Sequence, residues 1–417
     1  MRENIGKCTI SNVGVAVVLT FVLAIIAGPA AQAQTFNVIY SYAGSGTSAH
    51  AIGGVTVDRR GNLYGTTAWG GSGTPGTVYE MRHTGSGFVY SELHAFGGGA
   101  NGDFPWDAPT IGPNGSLYAT MNVGGADGEG TVVNLQPPSV ACRSVSCPWN
   151  ETDLYNFTRQ SDGGNPQSGI IFDAHGNIYG TNVNGGSGYG VVYEMTPSGD
   201  GWTYQVLYTF TGGRDGANPA SLLLFDSAGN LYGTAMSGGL PGCTGFGCGT
   251  VYKLSPSGSG WTETTLYSFT NGADGAEPSA GLVADSAGNL YGATPGSDGN
   301  GGTVFELSPS GENWVFNLIY DLSGPGPGPS QNLVRDAAGN LYGVTWGDGA
   351  YNQGNVFKLA PTSNGWTYTS LHDFSNGSDG SNALGGLTMD SSGVLYGTTY
   401  DGGSAECACG VVFEITP

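Results

Sequence analysis

The feature that most constrains this chain is a nonapeptide that it repeats. Asp226 to Thr234 reads DSAGNLYGT, and near copies stand at Asp58 (DRRGNLYGT), Asp173 (DAHGNIYGT), Asp285 (DSAGNLYGA) and Asp336 (DAAGNLYGV). A residue that performs chemistry is needed once in a molecule, whereas a residue that performs architecture is needed once in each structural unit. Aligned on its tyrosine, the peptide occurs at Tyr64, Tyr118, Tyr179, Tyr232, Tyr291, Tyr342 and Tyr396, at intervals of 54, 61, 53, 59, 51 and 54 residues. A period of about 55 residues identifies a repeat architecture, built from units that cannot bury a core alone.

Each unit carries four β-type runs. The first is apolar and ends at the aspartate, as in Ala220–Phe225, and the second is NLYGT itself. Between them D-x-x-G is a tight turn: aspartate hydrogen-bonds its own backbone and glycine takes the left-handed conformation. The third run is TVYEM at Thr77, with counterparts beginning at Thr131, Val191, Thr250, Thr303, Asn355 and Val411. The fourth is rich in aromatics, as in WTYQVLYTF from Trp202, and recurs from Phe36, Phe88, Trp149, Trp261, Trp314 and Trp366.

Order matters as much as number. The repeats open with a lone fourth-type strand at Phe36 and stop after a third-type strand at Val411–Ile415. With the strands lettered a to d, the last unit lacks its d, and the first strand is a d without a unit. Pairing the two closes a ring and removes both exposed edges, which an open solenoid would leave unpaired. The chain is therefore expected to be all-β, a seven-bladed β-propeller of four-stranded blades whose N-terminal strand completes the C-terminal blade. A small residue follows each tyrosine, from Gly65 to Gly397, and face-to-face blades would need that room for a neighbour's ring.

Composition agrees. Glycine contributes 77 of 417 residues, charged residues only 10% and aromatics 11%, too aromatic for a disordered chain. Arg2 and Lys7 precede an apolar run from Val13 to Ala27 and the string Ala31-Gln-Ala33, the pattern of a secretory signal peptide over 1–33. That run is short for a membrane span. A single domain over 34–417 is then secreted or periplasmic, a monomer with no membrane span. Loss of the segment takes the net charge from −21 to −22, a surface that repels nucleic acid. Six cysteines remain as near neighbours, Cys142 with Cys147, Cys243 with Cys248 and Cys407 with Cys409, and read as disulfide staples of an oxidising compartment. The first two pairs fall in the two longest repeat intervals, where insertions belong.

GNLYGTT, a Gly-rich loop, a TVYEL-like strand and then W-x-x-x-x-LYSF resemble the GloVer repeat of exported choice-of-anchor proteins, over about 38–417. The resemblance implies an exported, β-propeller-like protein and brings no established activity. Ending at Pro417, directly after the last strand, this sequence shows none of the sorting tail that anchored members carry.

Function is expected on the face where the d-to-a and b-to-c loops meet. The d-to-a loops repeat DGGNP from Asp162, DGANP from Asp215, DGAEP from Asp274 and DGSNA from Asp379, with a looser NGDFP from Asn101. Carboxylates and carbonyls of such loops suit calcium, though the same residues are ordinary turn formers and no cofactor is required. Trp69, Trp346 and Tyr400 follow strand b and Trp106 lies in a d-to-a loop, so a carbohydrate platform is the candidate ligand site, with a glycan or a protein as the partner. His94 and His372 take the LYSF tyrosine position, and His50 and His83 lie in loops beside no recognisable partner. Arg335 and Arg214 are the other departures from the repeat. No G-x-S-x-G, H-E-x-x-H or phosphate loop appears. Two classes follow: an exported, non-catalytic propeller binding a ligand on its loop face, or a propeller hydrolase or lyase using paired carboxylates on polysaccharide.

Overall fold

The D-x-x-G turn is a closed hydrogen-bond network. In blade 4, the blades being numbered in the order of the seven tyrosines from Tyr64 to Tyr396, Asp226 Oδ1 accepts the Ala228 and Asn230 amides at 2.8 and 2.9 Å, and Oδ2 accepts the Asn230 side chain and the Tyr232 hydroxyl. Gly229 sits at φ +82°, which glycine adopts without steric cost. Asp173, Asp285, Asp336 and Asp390 accept from their tyrosines in the same way; in blade 2 the polarity is reversed, with the Asn114 amide donating to the Tyr118 hydroxyl. Burial pushes the Asp226 carboxyl up, but the donors outweigh it and hold it below its usual value.

The computed structural model describes residues 34–417 except 44–48, 71–74, 100–101, 140–147, 241–246, 297–300, 323 and 325. The described chain forms seven antiparallel sheets in a ring, each ordered a-b-c-d. Blade 6 is representative: Val334–Arg335, Leu341–Thr345, Asn355–Thr362 and Gly365–Asp373. Closure is as the strand order requires. Thr35–Ser41 pairs with Val411–Thr416, from Thr35 opposite Thr416 to Ser41 opposite Val411. Every c–d pair, this one included, shifts register at the same place, a bulge that adds twist.

Seven buried clusters each join two consecutive blades, the last coupling Tyr396 and Val412 of blade 7 to Val55, Leu63 and Tyr79 of blade 1. Outside them runs a ring of paired side chains from adjacent d strands. Tyr155 stacks on Tyr204 at 4.1 Å, Tyr320 on Tyr368 at 4.7 Å and Tyr40 on Tyr90 at 4.5 Å. His372 stacks on Phe36, and His94 instead pairs with Glu151 at 2.9 Å. Both histidines are thus blade joints.

Two expectations need correction. The ring over the glycine after each tyrosine belongs to the same blade's c strand: a Cβ on Gly343 would lie 2.5 Å from Phe357 Cζ, its cross-strand partner. Blade 2 shows the compensation, with Ala119 opposite the smaller Val133. Strand a is also shorter than its apolar run. Only Leu224–Phe225 pairs in blade 4, with a separate piece at Ala217–Pro219, while residues 220–223 bulge off the ladder towards the ring axis. The carbonyls so freed are taken by the NLYGT threonine of the preceding blade. Thr66 donates to Asp107 O, Thr120 to Ser168 O, Thr234 to Ala280 O and Thr398 to Gly53 O.

Candidate functional site

The recurring loop aspartates face inward. Asp162, Asp215 and Asp274 each accept the amide and hydroxyl of a threonine four residues earlier, the hydroxyls at 2.6 Å, together with the d-strand tyrosine. Asp379 does the same with Ser375 and His372. Their oxygens tie the end of strand d to the loop that follows. Among the described residues, no three His, Cys, Asp or Glu side chains converge as a metal centre requires.

The asparagine three residues on is a second joint. Asn165, Asn218 and Asn382 lie at φ +55°, and their side chains donate to Asn122 O, Val183 O and Trp346 O of the preceding blade. Asn and Asp adopt this region most readily among non-glycine residues. His50 holds the equivalent place before blade 1, and its Nδ1 donates to Tyr400 O at 2.9 Å. Phe104 holds it before blade 2 and packs edge-on against Trp69 at 4.7 Å.

These joints assemble aromatic residues that the sequence scatters. Trp346 and Tyr400 lie on neighbouring blades with ring centroids 6.0 Å apart, and His50 continues the row 4.5 Å from Tyr400. Asp401 flanks His50 at 3.6 Å; burial pushes its carboxyl up and the imidazole draws it partly back. Trp69, one position beyond the blade-1 counterpart Ala68, is 48% exposed and packs on Phe104 instead. At the positions of Trp346 and Tyr400, blades 3, 4 and 5 carry Val183, Met236 and Pro295. The row therefore runs from blade 6 through blade 7 to the loop that enters blade 1, and the blade fold does not demand it. His50 was readable only as a loop residue, because its partners lie about 350 positions away in sequence.

Trp106 stands apart from that row. It lines a cavity of about 190 Å³ formed where the channel-lining bulges meet the loop face, with Gln167, Met236, Ser279 and Gln331. A second cavity of about 140 Å³ continues along the axis between strands a, and Asp107, Leu222, Gln331 and Asn332 line both. Asp107 Oδ1 accepts the Ala108 amide at 2.7 Å and Oδ2 the Gly169 amide at 2.9 Å. Burial pushes its carboxyl up against these two donors. The signal that could have found Asp107 is again a break in the repeat: the aligned residues are Gly53, Ser168, Ser221, Ala280, Gln331 and Gly385.

Of the cysteines, Cys407 and Cys409 are disulfide-bonded to each other and Cys248 is disulfide-bonded. Cys142, Cys147 and Cys243 lie outside the described residues, as does the signal-peptide segment. No helix among the described residues is long and apolar enough to cross a membrane.

Seven four-stranded blades, closed by the N-terminal strand, define a β-propeller. The chain belongs to the Gloeobacter/Verrucomicrobia repeat family, whose profile matches residues 28–239, 145–325 and 244–417. Among solved structures it is similar to the extracellular domain of a hybrid two-component system protein from B. thetaiotaomicron, with a TM-score of 0.53 and 14% identity over 92% of this chain and 41% of that one. The present chain thus spans about two fifths of that chain's length, and the likeness is one of fold. A protein described as a glucose dehydrogenase-type oxidoreductase from Thermus thermophilus matches at a TM-score of 0.43, with 14% identity over 92% of this chain and all of that one. No curated protein matches.

Proposed function

We propose that this protein is an exported, non-catalytic propeller that binds carbohydrate on its loop face. One observation carries the reading: Trp346, Tyr400 and His50 form a row of rings 6.0 and 4.5 Å apart, and at the place of the first two blades 3, 4 and 5 carry no ring. Flat apolar faces flanked by a carboxylate and main-chain carbonyls suit pyranose rings, which present C–H faces and hydroxyl edges. The charge of −21 disfavours anionic polymers, so the glycans that fit are neutral.

A glycan array probed with the chain from Gln34 tests this, with Trp346→Ala and Tyr400→Ala alongside. Binding to neutral glycans that falls at least about tenfold in either variant, with melting temperature retained, is the expected result. Wild-type affinity in both variants would remove the aromatic row from the function.

A further inference from the structure

We infer that the cup at the loop-face end of the central channel receives the terminal sugar unit of a neutral glycan end-on, with Asp107 accepting its hydroxyls and Trp106 covering its face. The inference rests on the reading that the loop face binds carbohydrate, and it adds a site and a polarity to that reading.

What the repeat requires at position 107 is a carbonyl, which accepts from the threonine of the preceding blade, here Thr66; the type of side chain varies between blades. The aligned residues are glycine, serine, alanine or glutamine, and one blade alone carries a carboxylate. That carboxylate accepts two amides at 2.7 and 2.9 Å and makes no ion pair among the described residues. Ionised carboxylates have lone pairs for about four donors, so about two acceptor positions remain to be filled. A charge partly withdrawn from water and without a cationic partner gains from further donors.

The lining fits a polyol. Gln167, Gln331 and Asn332 offer both donors and acceptors, serines add hydroxyls, and no other charged residue among the described residues lines the cup. A volume near 190 Å³ is below the roughly 300 Å³ at which sites for drug-sized ligands begin, so it suits one ring and not a chain segment. Trp346, Tyr400 and His50 do not line the cup, and their place relative to it follows from the repeat. Met236, the blade-4 counterpart of Trp346 and Tyr400, lines the cup, so in a sevenfold ring those two residues stand at the same radius on their own blades. A glycan seated with one end in the cup has its next units over that row.

The test uses the best array glycan in titration calorimetry, with its free terminal monosaccharide as competitor. Three variants are compared: Asp107→Asn, Trp106→Gln, which places the blade-3 residue in blade 2, and Trp346→Ala. The expected result is competition by the monosaccharide and an affinity loss of at least about tenfold in both cup variants, with melting temperatures near wild type. Wild-type affinity in Trp106→Gln, together with loss in Trp346→Ala, overturns the cup and leaves the aromatic row as the site. Failure of the wild-type protein to bind any glycan overturns both readings. If Asp107→Asn does not fold, Trp106→Gln and the monosaccharide competition decide.

Discussion

At the scale of single residues, the repeated aspartate is a structural acceptor. Asp226→Ala leaves two amides, an Asn side chain and a tyrosine hydroxyl without their acceptor, and should cost about 1–2 kcal/mol in chemical denaturation. Because the folded carboxyl is held below its unfolded value, its contribution is present above about pH 4 and is lost as pH falls through the lowered folded pKa. The gap between wild type and Asp226→Ala should therefore close in acid. A gap that persists unchanged to about pH 2 would show that the carboxylate form is not what stabilises. The opposite kind of substitution is available at Tyr252, a buried residue whose hydroxyl has no hydrogen-bond partner among the described residues, where blades 5, 6 and 7 carry Phe305, Phe357 and Phe413. Tyr252→Phe removes a desolvated hydroxyl and should leave stability equal or higher. A drop above about 1 kcal/mol would mean that the hydroxyl is satisfied in solution. The turn role of DSAGNLYGT was legible because every partner of its aspartate carboxylate lies within six residues.

At the scale of strands, Gly343 and Phe357 form a cross-strand unit in which one side must be small. Gly343→Val places methyl groups in the Phe357 ring and should destabilise strongly, while adding Phe357→Val should restore much of the loss, as Ala119 with Val133 does natively in blade 2. A double-mutant cycle with no coupling would refute the pairing. Outer-strand joints give a pH signature. Burial alone would lower the His94 pKa, but the hydrogen bond and charge of Glu151 outweigh it and raise the value. The stabilisation is thus complete below about pH 6.5 and is lost as pH climbs through the raised folded value. Wild type should exceed Glu151→Gln in melting temperature most at about pH 5–6, and the difference should shrink at about pH 8. Strands b, c and d were readable from periodicity. Strand a was not, because its apolar residues serve the channel and the neighbouring blade as well as the ladder, and periodicity does not distinguish those uses.

For the whole molecule, the closing pair is decisive. Removing residues 35–41 exposes the Val411–Thr416 edge, and the expected result is self-association on size exclusion with a lowered melting temperature. A monomer with unchanged stability would mean that the ring does not depend on its clasp. Calcium should leave the melting temperature unchanged, since Asp162, Asp215, Asp274 and Asp379 already spend their oxygens on strand-to-loop bonds. A calcium-dependent rise lost in Asp215→Asn would restore the loop face as a metal site.

The sequence by itself determined the number of blades, the hairpin that builds each one, the d strand that closes the ring and the role of the repeated turn. Each of these is either local or repeated around the ring, and repetition makes a weak signal visible. Only the tertiary structure decided which residues meet across blades: Trp346 with Tyr400, His50 with both Tyr400 and Asp401, and Asp107 with Gly169 at the axis. Those meetings occur once each, between residues far apart along the chain, and are set by the curvature of the ring, which no local pattern encodes.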